Sequence, residues 1–176
     1  IAIQMINDAS NNTIKYCDLQ GQGTTSGALP GTPGGVVFIG NTTGGTGNDN
    51  NTIDNCNIHS TSTANNLTMG VYSYGPSGSA TLIPTFNDNC QITNNNIYDI
   101  YGGNNLASAG IELDKGTNAW TISGNSFFQT VNRTPVLTAA APSRFIYIAP
   151  TNSSGVGNGF TITGNYMGGM APQCGG

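Results

Sequence analysis

The chain has 176 residues, a formal net charge of -4 and only 7% charged side chains. Nucleic-acid binding needs basic patches, and this composition excludes them. No apolar run approaches the roughly 20 residues of a membrane-spanning helix. The abundance of Asn, Thr and Gly with so little charge favours an extracellular or cell-surface location.

A nine-residue segment recurs along the chain. Its first aliphatic residue falls at positions 14, 53, 92, 122 and 162, at steps of 39, 39, 30 and 40 residues. Self-similarity at a period of roughly 20–50 residues is typical of stacked-repeat proteins. The copies span residues 11–19, 50–58, 89–97, 119–127 and 159–167.

The composition of the copies predicts short strands separated by turns. Asn, Thr and Gly disfavour helices and suit strands joined by turns. If the copies stack at about 4.8 Å, matching inward residues form ladders. Two ladders would be apolar (Ile14, Ile53, Ile92, Ile122, Ile162; Leu19, Ile58, Ile97, Phe127, Met167). The third would carry thiols and stacked amides (Cys17, Cys56, Asn95, Asn125, Asn165).

A further strand is predicted before each copy, because residues there alternate at period two. These segments are 1–5, 35–39, 70–74, 110–114 and 145–148. The full unit, Gly-Ile-x-Ile followed by Asn-x-Thr-Ile-x-x-Asn-x-Ile, resembles the repeats of the pectate-lyase-like superfamily. The resemblance covers nearly the whole chain and implies an all-β fold, a right-handed parallel β-helix (β-solenoid) of about five rungs. That scaffold hosts lyases, hydrolases, tailspikes and adhesins, so it implies little about function.

We expect residues 1–176 to form a single β-solenoid segment of a longer chain, because residue 1 already lies in a strand and neither end carries a cap. The ending GNYMGGMAPQCGG is similar to repeats of large surface proteins of Bacteroidota, which are commonly exported and serve as adhesins.

The strands at 70–74, 110–114 and 145–148 carry the candidate site. With Ile111 and Leu113 inward, Glu112 and Asp114 point outward, about 7 Å apart. The stacking register adds three tyrosines on the same face. Paired carboxylates at this spacing occur in glycosidases, and tyrosines stack on sugar rings. The predicted glycan-contacting residues are therefore Tyr72, Tyr74, Glu112, Asp114 and Tyr147. The alternative is a solvated strand face on which the tyrosines merely cover the sheet.

Catalysis is less well supported by the same comparison. Polygalacturonase-like relatives carry acidic residues just before their Gly-Ile or Cys-Ile strands, where this chain has Thr68-Met69 and Ser108-Ala109. Calcium-dependent lyases need several acids and a basic residue, which this composition barely provides. Glu112 and Asp114 would be the acid and base of an enzyme. No spacing predicts a metal site or a cofactor.

Four cysteines and one histidine remain. Cys17 and Cys56 occupy equivalent positions, so stacked thiols and a disulfide are both open, and a pairing of Cys90 with Cys174 is possible. His59 is expected to begin a turn in solvent. Asp18 and Asp54 are expected to face outward and to serve solubility.

Three functions fit the sequence. The first is a non-catalytic structural or adhesive segment of a secreted or cell-surface protein, with weak contact to polysaccharide and with other surface-protein segments as further partners. The second is a polysaccharide lyase or glycoside hydrolase. The third is ice binding through outward rows of Thr, which the sequence supports only at Thr161 and Thr163.

Overall fold

Each turn of the chain contributes one strand to each of three parallel five-stranded sheets, which is a parallel β-solenoid of five rungs. The computed structural model describes residues 1–22, 33–40, 45–62, 67–76, 84–102, 106–134, 142–150 and 157–175. No α-helix occurs in these ranges. The predicted all-β solenoid is confirmed.

Sheet A consists of β1 (Ile3–Met5), β4 (Val37–Ile39), β7 (Met69–Ser73), β11 (Ser108–Leu113) and β15 (Ser143–Ile148). Sheet B consists of β2 (Thr13–Lys15), β5 (Thr52–Asp54), β9 (Gln91–Thr93), β13 (Thr121–Ser123) and β16 (Thr161–Thr163). Sheet C consists of β3 (Asp18–Gly21), β6 (Asn57–Ser60), β10 (Asn96–Tyr98), β14 (Ser126–Phe128) and β17 (Tyr166–Met167). A two-stranded sheet joins β8 (Asn87–Asp88) to β12 (Thr117–Asn118), and a 3-10 turn spans Pro172–Cys174.

The predicted apolar ladders are present in the predicted register. In sheet B the central isoleucines of neighbouring strands are paired from Ile14 to Ile162. In sheet C the second ladder runs from Leu19 to Met167. The middle rungs are fully enclosed, since Ile58 and Ile92 are 0% exposed. This shared interior is the hydrophobic core.

The asparagine corner, defined as Asn95, Asn125 and Asn165 between sheets B and C, is hydrogen-bonded from rung to rung. Nδ2 of Asn95 donates to Oδ1 of Asn125 at 3.0 Å, and Nδ2 of Asn125 donates to Oδ1 of Asn165 at 3.0 Å. Each acceptor oxygen also receives the backbone N–H of the asparagine one rung away. The predicted amide ladder is confirmed, and its buried polar groups are paired.

A second buried amide ladder escaped the sequence analysis. Nδ2 of Asn48 donates to Oδ1 of Asn87 at 2.9 Å, and both side chains are 0% exposed. Asn87 also donates to Oγ of Ser73 at 3.1 Å, which ties this corner to sheet A. The two asparagines are 39 residues apart, which is the repeat step already seen in the strands. This spacing could have predicted the second ladder from the sequence.

The corners need left-handed backbone. The residue before each rung's Cys or Asn ladder position has positive φ, and so does the residue two positions before each sheet B strand. Asn, Asp and Gly adopt this conformation most easily, which explains much of their abundance. The first set is Tyr16, Asn55, Asn94, Gly124 and Gly164, and the second is Asn11, Asn50, Asn89, Ala119 and Gly159.

The four cysteines are free thiols. Sγ of Cys56 lies 3.4 Å from the carbonyl oxygen of Asp54, and Cys90 is buried beside the carbonyl of Asn48 at 3.4 Å. Burial raises the pKa of the Cys90 thiol to about 12. Of the two alternatives for Cys17 and Cys56, the structure therefore has stacked thiols, and Cys90 and Cys174 are not joined.

Candidate functional site on sheet A

The outer row of sheet A brings the predicted site residues together. Glu112 of β11 pairs with Tyr72 of β7 on one side and with Tyr147 of β15 on the other. The N–H of Asp114 donates to the carbonyl of Ser73, which places Asp114 beside Tyr74. The predicted adjacency of these five residues is confirmed, and their role in ligand contact stays a prediction.

The residues of this row differ in how much of each side chain is exposed to solvent. Tyr72 is 1% exposed, Glu112 is 6% exposed and Tyr74 is 9% exposed, whereas Asp114 and Tyr147 are half-buried. Tyr72 lies in an apolar cluster with Phe38 and Met69, and the ring centroids of Phe38 and Tyr72 are 5.6 Å apart. Of the alternative considered above, the covering of the sheet by tyrosines agrees with the structure, whereas the strand face is not solvated at Tyr72 and Glu112. Only the Asp114 and Tyr147 end of the row has partial access to solvent.

The two carboxyl groups are electrostatically distinct. Burial raises the pKa of Glu112 to about 7, with a further rise from the charge of Asp114 and an opposing effect of Arg144. Burial also raises the pKa of Asp114, while a backbone hydrogen bond from Lys115 and its positive charge oppose that rise. Glu112 is thus a carboxyl group that holds its proton close to neutral pH. Such a group can donate a hydrogen bond or a proton.

Arg144 belongs to this site and was missed. Its guanidinium carbon lies 4.0 Å from the ring centroid of Tyr147, a cation–π contact. It precedes the predicted strand at 145–148 by one residue, whereas β15 begins at Ser143. The alternating pattern was read from Phe145 onward, so Arg144 was left out of the strand.

A second outward-facing cluster lies on sheet C. The rings of His59 and Tyr98 are stacked at 4.4 Å, and the rings of Tyr98 and Phe128 at 4.9 Å. Nε2 of His59 is 2.9 Å from Oδ1 of Asp18. The expectation of a solvent-exposed turn at His59 was wrong, because the residue lies within β6 and pairs with Tyr98 on one adjacent rung and with Gln20 on the other.

Sheet B carries outward rows of polar residues. One row is Thr13, Thr52, Gln91, Thr121 and Thr161, and the other is Lys15, Asp54, Thr93, Ser123 and Thr163. Asp54 is only 7% exposed and accepts hydrogen bonds from Thr93 at 2.6 Å and from Asn94 at 2.9 Å. The bond from Thr93 is the main cause that holds the pKa of Asp54 well below its usual range. Asp54 therefore bonds its neighbours on the sheet rather than solvent, and the hydroxyl rows are interrupted.

Comparisons with protein-family models, with curated proteins and with solved structures found no match. Within the described ranges, no set of three His, Cys, Asp or Glu side chains is grouped so as to hold a metal ion. The same part of the chain has no helix of the length and apolar character that a bilayer crossing requires.

Proposed function

We propose that this chain is a non-catalytic segment of a secreted or cell-surface β-solenoid protein, with a structural and adhesive role and weak contact to a glycan. The observation that carries the proposal is the outer row of sheet A. Aromatic rings and carboxyl groups alternate there across neighbouring rungs, and Tyr147, Arg144 and Asp114 are the members that solvent reaches in part. Sugars bind to such surfaces through ring stacking and hydrogen bonds to charged groups.

The scaffold supports a structural role. Its interior repeats apolar contacts on all five rungs and amide contacts from Asn95 to Asn165, so the stack is stabilised mainly by nearest-neighbour rungs. Extracellular placement agrees with the sparse charge of the chain. Other segments of surface proteins are the expected partners, besides polysaccharide.

The experiment is a glycan array followed by titration of any glycan that binds. Tyr147→Ala should weaken binding about tenfold or more, because it removes the stacking ring and the contact with Arg144. Tyr16→Ala is the matched control, since Tyr16 is 79% exposed and lies outside sheet A. Loss of binding in both variants, or in neither, would argue against the proposed surface.

One observation favours the alternative, a polysaccharide lyase or glycoside hydrolase. The pKa of Glu112 is raised to about 7 beside Asp114, and a raised carboxyl group next to a second one is the arrangement of a general acid and its partner. Release of reducing or unsaturated sugar ends from a polysaccharide panel, abolished in Glu112→Gln, would establish that activity. Binding without turnover would support the non-catalytic proposal.

A further inference from the structure

A cavity of about 300 Å³ lies where the ends of the sheet C strands meet the beginnings of the sheet A strands. Ile97 and Phe127 line it from sheet C, and Gly110 and Phe145 line it from sheet A. A cavity of this volume is at the lower end of the range in which small molecules bind. We call it the arginine cavity, for the reason given next.

Both arginines of the sequence, Arg133 and Arg144, line this cavity, and none of the described residues that line it is acidic. This is unexpected in a chain whose net charge is -4. Among the described residues, Arg133 forms no ion pair, whereas the positive charge of Arg144 acts on the neighbouring Glu112. The cavity therefore holds the charge of Arg133 without an acidic partner.

Polar atoms in the cavity wall lack partners. Nε and Nη2 of Arg133 are buried without a hydrogen bond, and so is Oε1 of Gln129, in the part of the chain that the structure describes. The guanidinium carbon of Arg133 lies 4.8 Å from the ring centroid of Tyr101, a cation–π contact that holds the side chain at the cavity. A buried donor without a partner costs about 1–3 kcal/mol, and more when it is charged. An anionic ligand would remove that cost.

The rest of the wall is apolar. Phe127, Phe128, Phe145, Ile97, Val131 and Met170 line it together with few polar groups. A sugar acid carries hydroxyls around its ring, and these would lose hydrogen bonds to water against such a wall. A compact apolar ligand with one carboxylate matches both the unpaired guanidinium nitrogens and the apolar wall of the cavity.

We propose that the arginine cavity binds a small carboxylate with an apolar body about the size of an aromatic ring. Arg133 holds the carboxylate, and Phe127 and Phe145 contact the apolar body. Guanidinium groups suit this task because they bind carboxylates through paired, charge-assisted hydrogen bonds. The proposal does not depend on glycan contact at sheet A.

The test is calorimetric titration of the whole chain with phenylacetate, with its neutral amide and with galacturonate. Phenylacetate should bind, and phenylacetamide should bind at least about tenfold more weakly, because it lacks the charge that the guanidinium group pairs with. Equal affinity of acid and amide, or no heat with phenylacetate at millimolar concentration, would overturn the proposal. Tighter binding of galacturonate than of phenylacetate would also overturn it, in favour of a sugar acid.

Two variants locate the site. Arg133→Gln should weaken phenylacetate binding about tenfold or more, whereas Lys115→Gln removes the same charge outside the lining and should leave the affinity unchanged. If Arg133→Gln does not fold, the comparison of acid with amide decides the question. Equal effects of Arg133→Gln and Lys115→Gln would show a non-specific charge effect and refute the cavity. Glycan binding that survives Arg133→Gln would leave the sheet A proposal standing.

Discussion

Buried polar groups are hydrogen-bonded at the asparagine corner, whereas, in the described part of the chain, several of them lack a partner at the arginine cavity. At the asparagine corner, Asn125 accepts two hydrogen bonds from Asn95 and donates to Asn165 and to the carbonyl of Ile92. At the arginine cavity, donors of Arg133 and an acceptor of Gln129 have no partner among the described residues. A side chain that recurs on successive rungs can hydrogen-bond to its counterpart on the next rung. A side chain that occurs once depends on what lies beside it, and such positions are where a solenoid can carry function.

The largest expected effect is at the asparagine corner. Asn125→Ala should lower the free energy of unfolding by about 3–5 kcal/mol, because it leaves two donors of Asn95 and the carbonyl of Ile92 unpaired inside the protein. Urea unfolding followed by circular dichroism measures the loss. Asn96→Ala is the control, since its side-chain bond to Asn57 lies at the surface and should cost under about 1 kcal/mol. Similar losses in both variants would contradict the difference between buried and surface amides.

The second prediction concerns how the contribution of Glu112 to stability changes with pH. The pKa of Glu112 rises from 4.5 to about 7 on folding, so the folded state favours the protonated form. Its contribution to stability is complete below pH 4.5 and is lost as the pH rises through 7, by up to about 3 kcal/mol. The charged groups that face Glu112 are Asp114, which raises this pKa further, and Arg144, which lowers it.

Glu112→Gln tests this directly, because the amide resembles the protonated acid and does not titrate. The variant should match the parent chain in urea unfolding at pH 5 and exceed it at pH 8. The comparison of the two chains at each pH removes the effect of Asp88, whose pKa burial also raises, to about 6. A constant difference between the chains at both pH values would show that Glu112 titrates normally.

Gly110→Ala should cost about 1–3 kcal/mol. A Cβ at this position would lie 2.7 Å from ring carbons of Phe127 and 2.8 Å from the carbonyl oxygen of Phe145, which is closer than atoms pack. Adding Phe127→Leu should recover part of the loss by removing the ring, and a double-mutant cycle measures the coupling. Absence of coupling would mean that the strand moves instead of the ring. Because Gly110 also lines the arginine cavity, Gly110→Ala should weaken phenylacetate binding too.

The smallest effect is expected for Arg133→Gln. The arginine makes no ion pair with the described residues and two of its N–H groups are unpaired, so its removal should change the free energy of unfolding by less than about 1 kcal/mol. The same urea experiment measures it. If the free energy of unfolding fell by several kcal/mol, Arg133 would belong to a hydrogen-bonded network. The difference from the asparagine corner would then not hold.

The sequence predicted the parts of the molecule that repeat. Ile53, Ile92 and Asn95 could be assigned to ladders because each has a counterpart one step along the chain, and stacking then dictates their neighbours. Asn48 and Asn87 follow the same step and could have been found, but they lie outside the nine-residue segment. The adjacency of Glu112 to Tyr72 and Tyr147 followed from strand register in the same way.

Two features could not be predicted from the sequence: the burial of Glu112, and the presence of both Arg133 and Arg144 in the lining of one cavity. Composition suggested that two arginines were too few to form a basic site, yet the fold brings both to one cavity. The positions of Arg133 and Gln129 depend on the path of a loop that has no copy elsewhere in the chain. Likewise, His59 acquired its contacts with Tyr98 and Asp18 through register between rungs rather than through its own local sequence.

The sequence by itself determined the solenoid and its interior ladders, because each is encoded several times over and short-range stacking makes the copies agree. The tertiary structure alone decided which outward carboxyl groups are buried and that both arginines line one cavity. Those features depend on single residues and on packing between unlike segments, and no periodic pattern records such contacts.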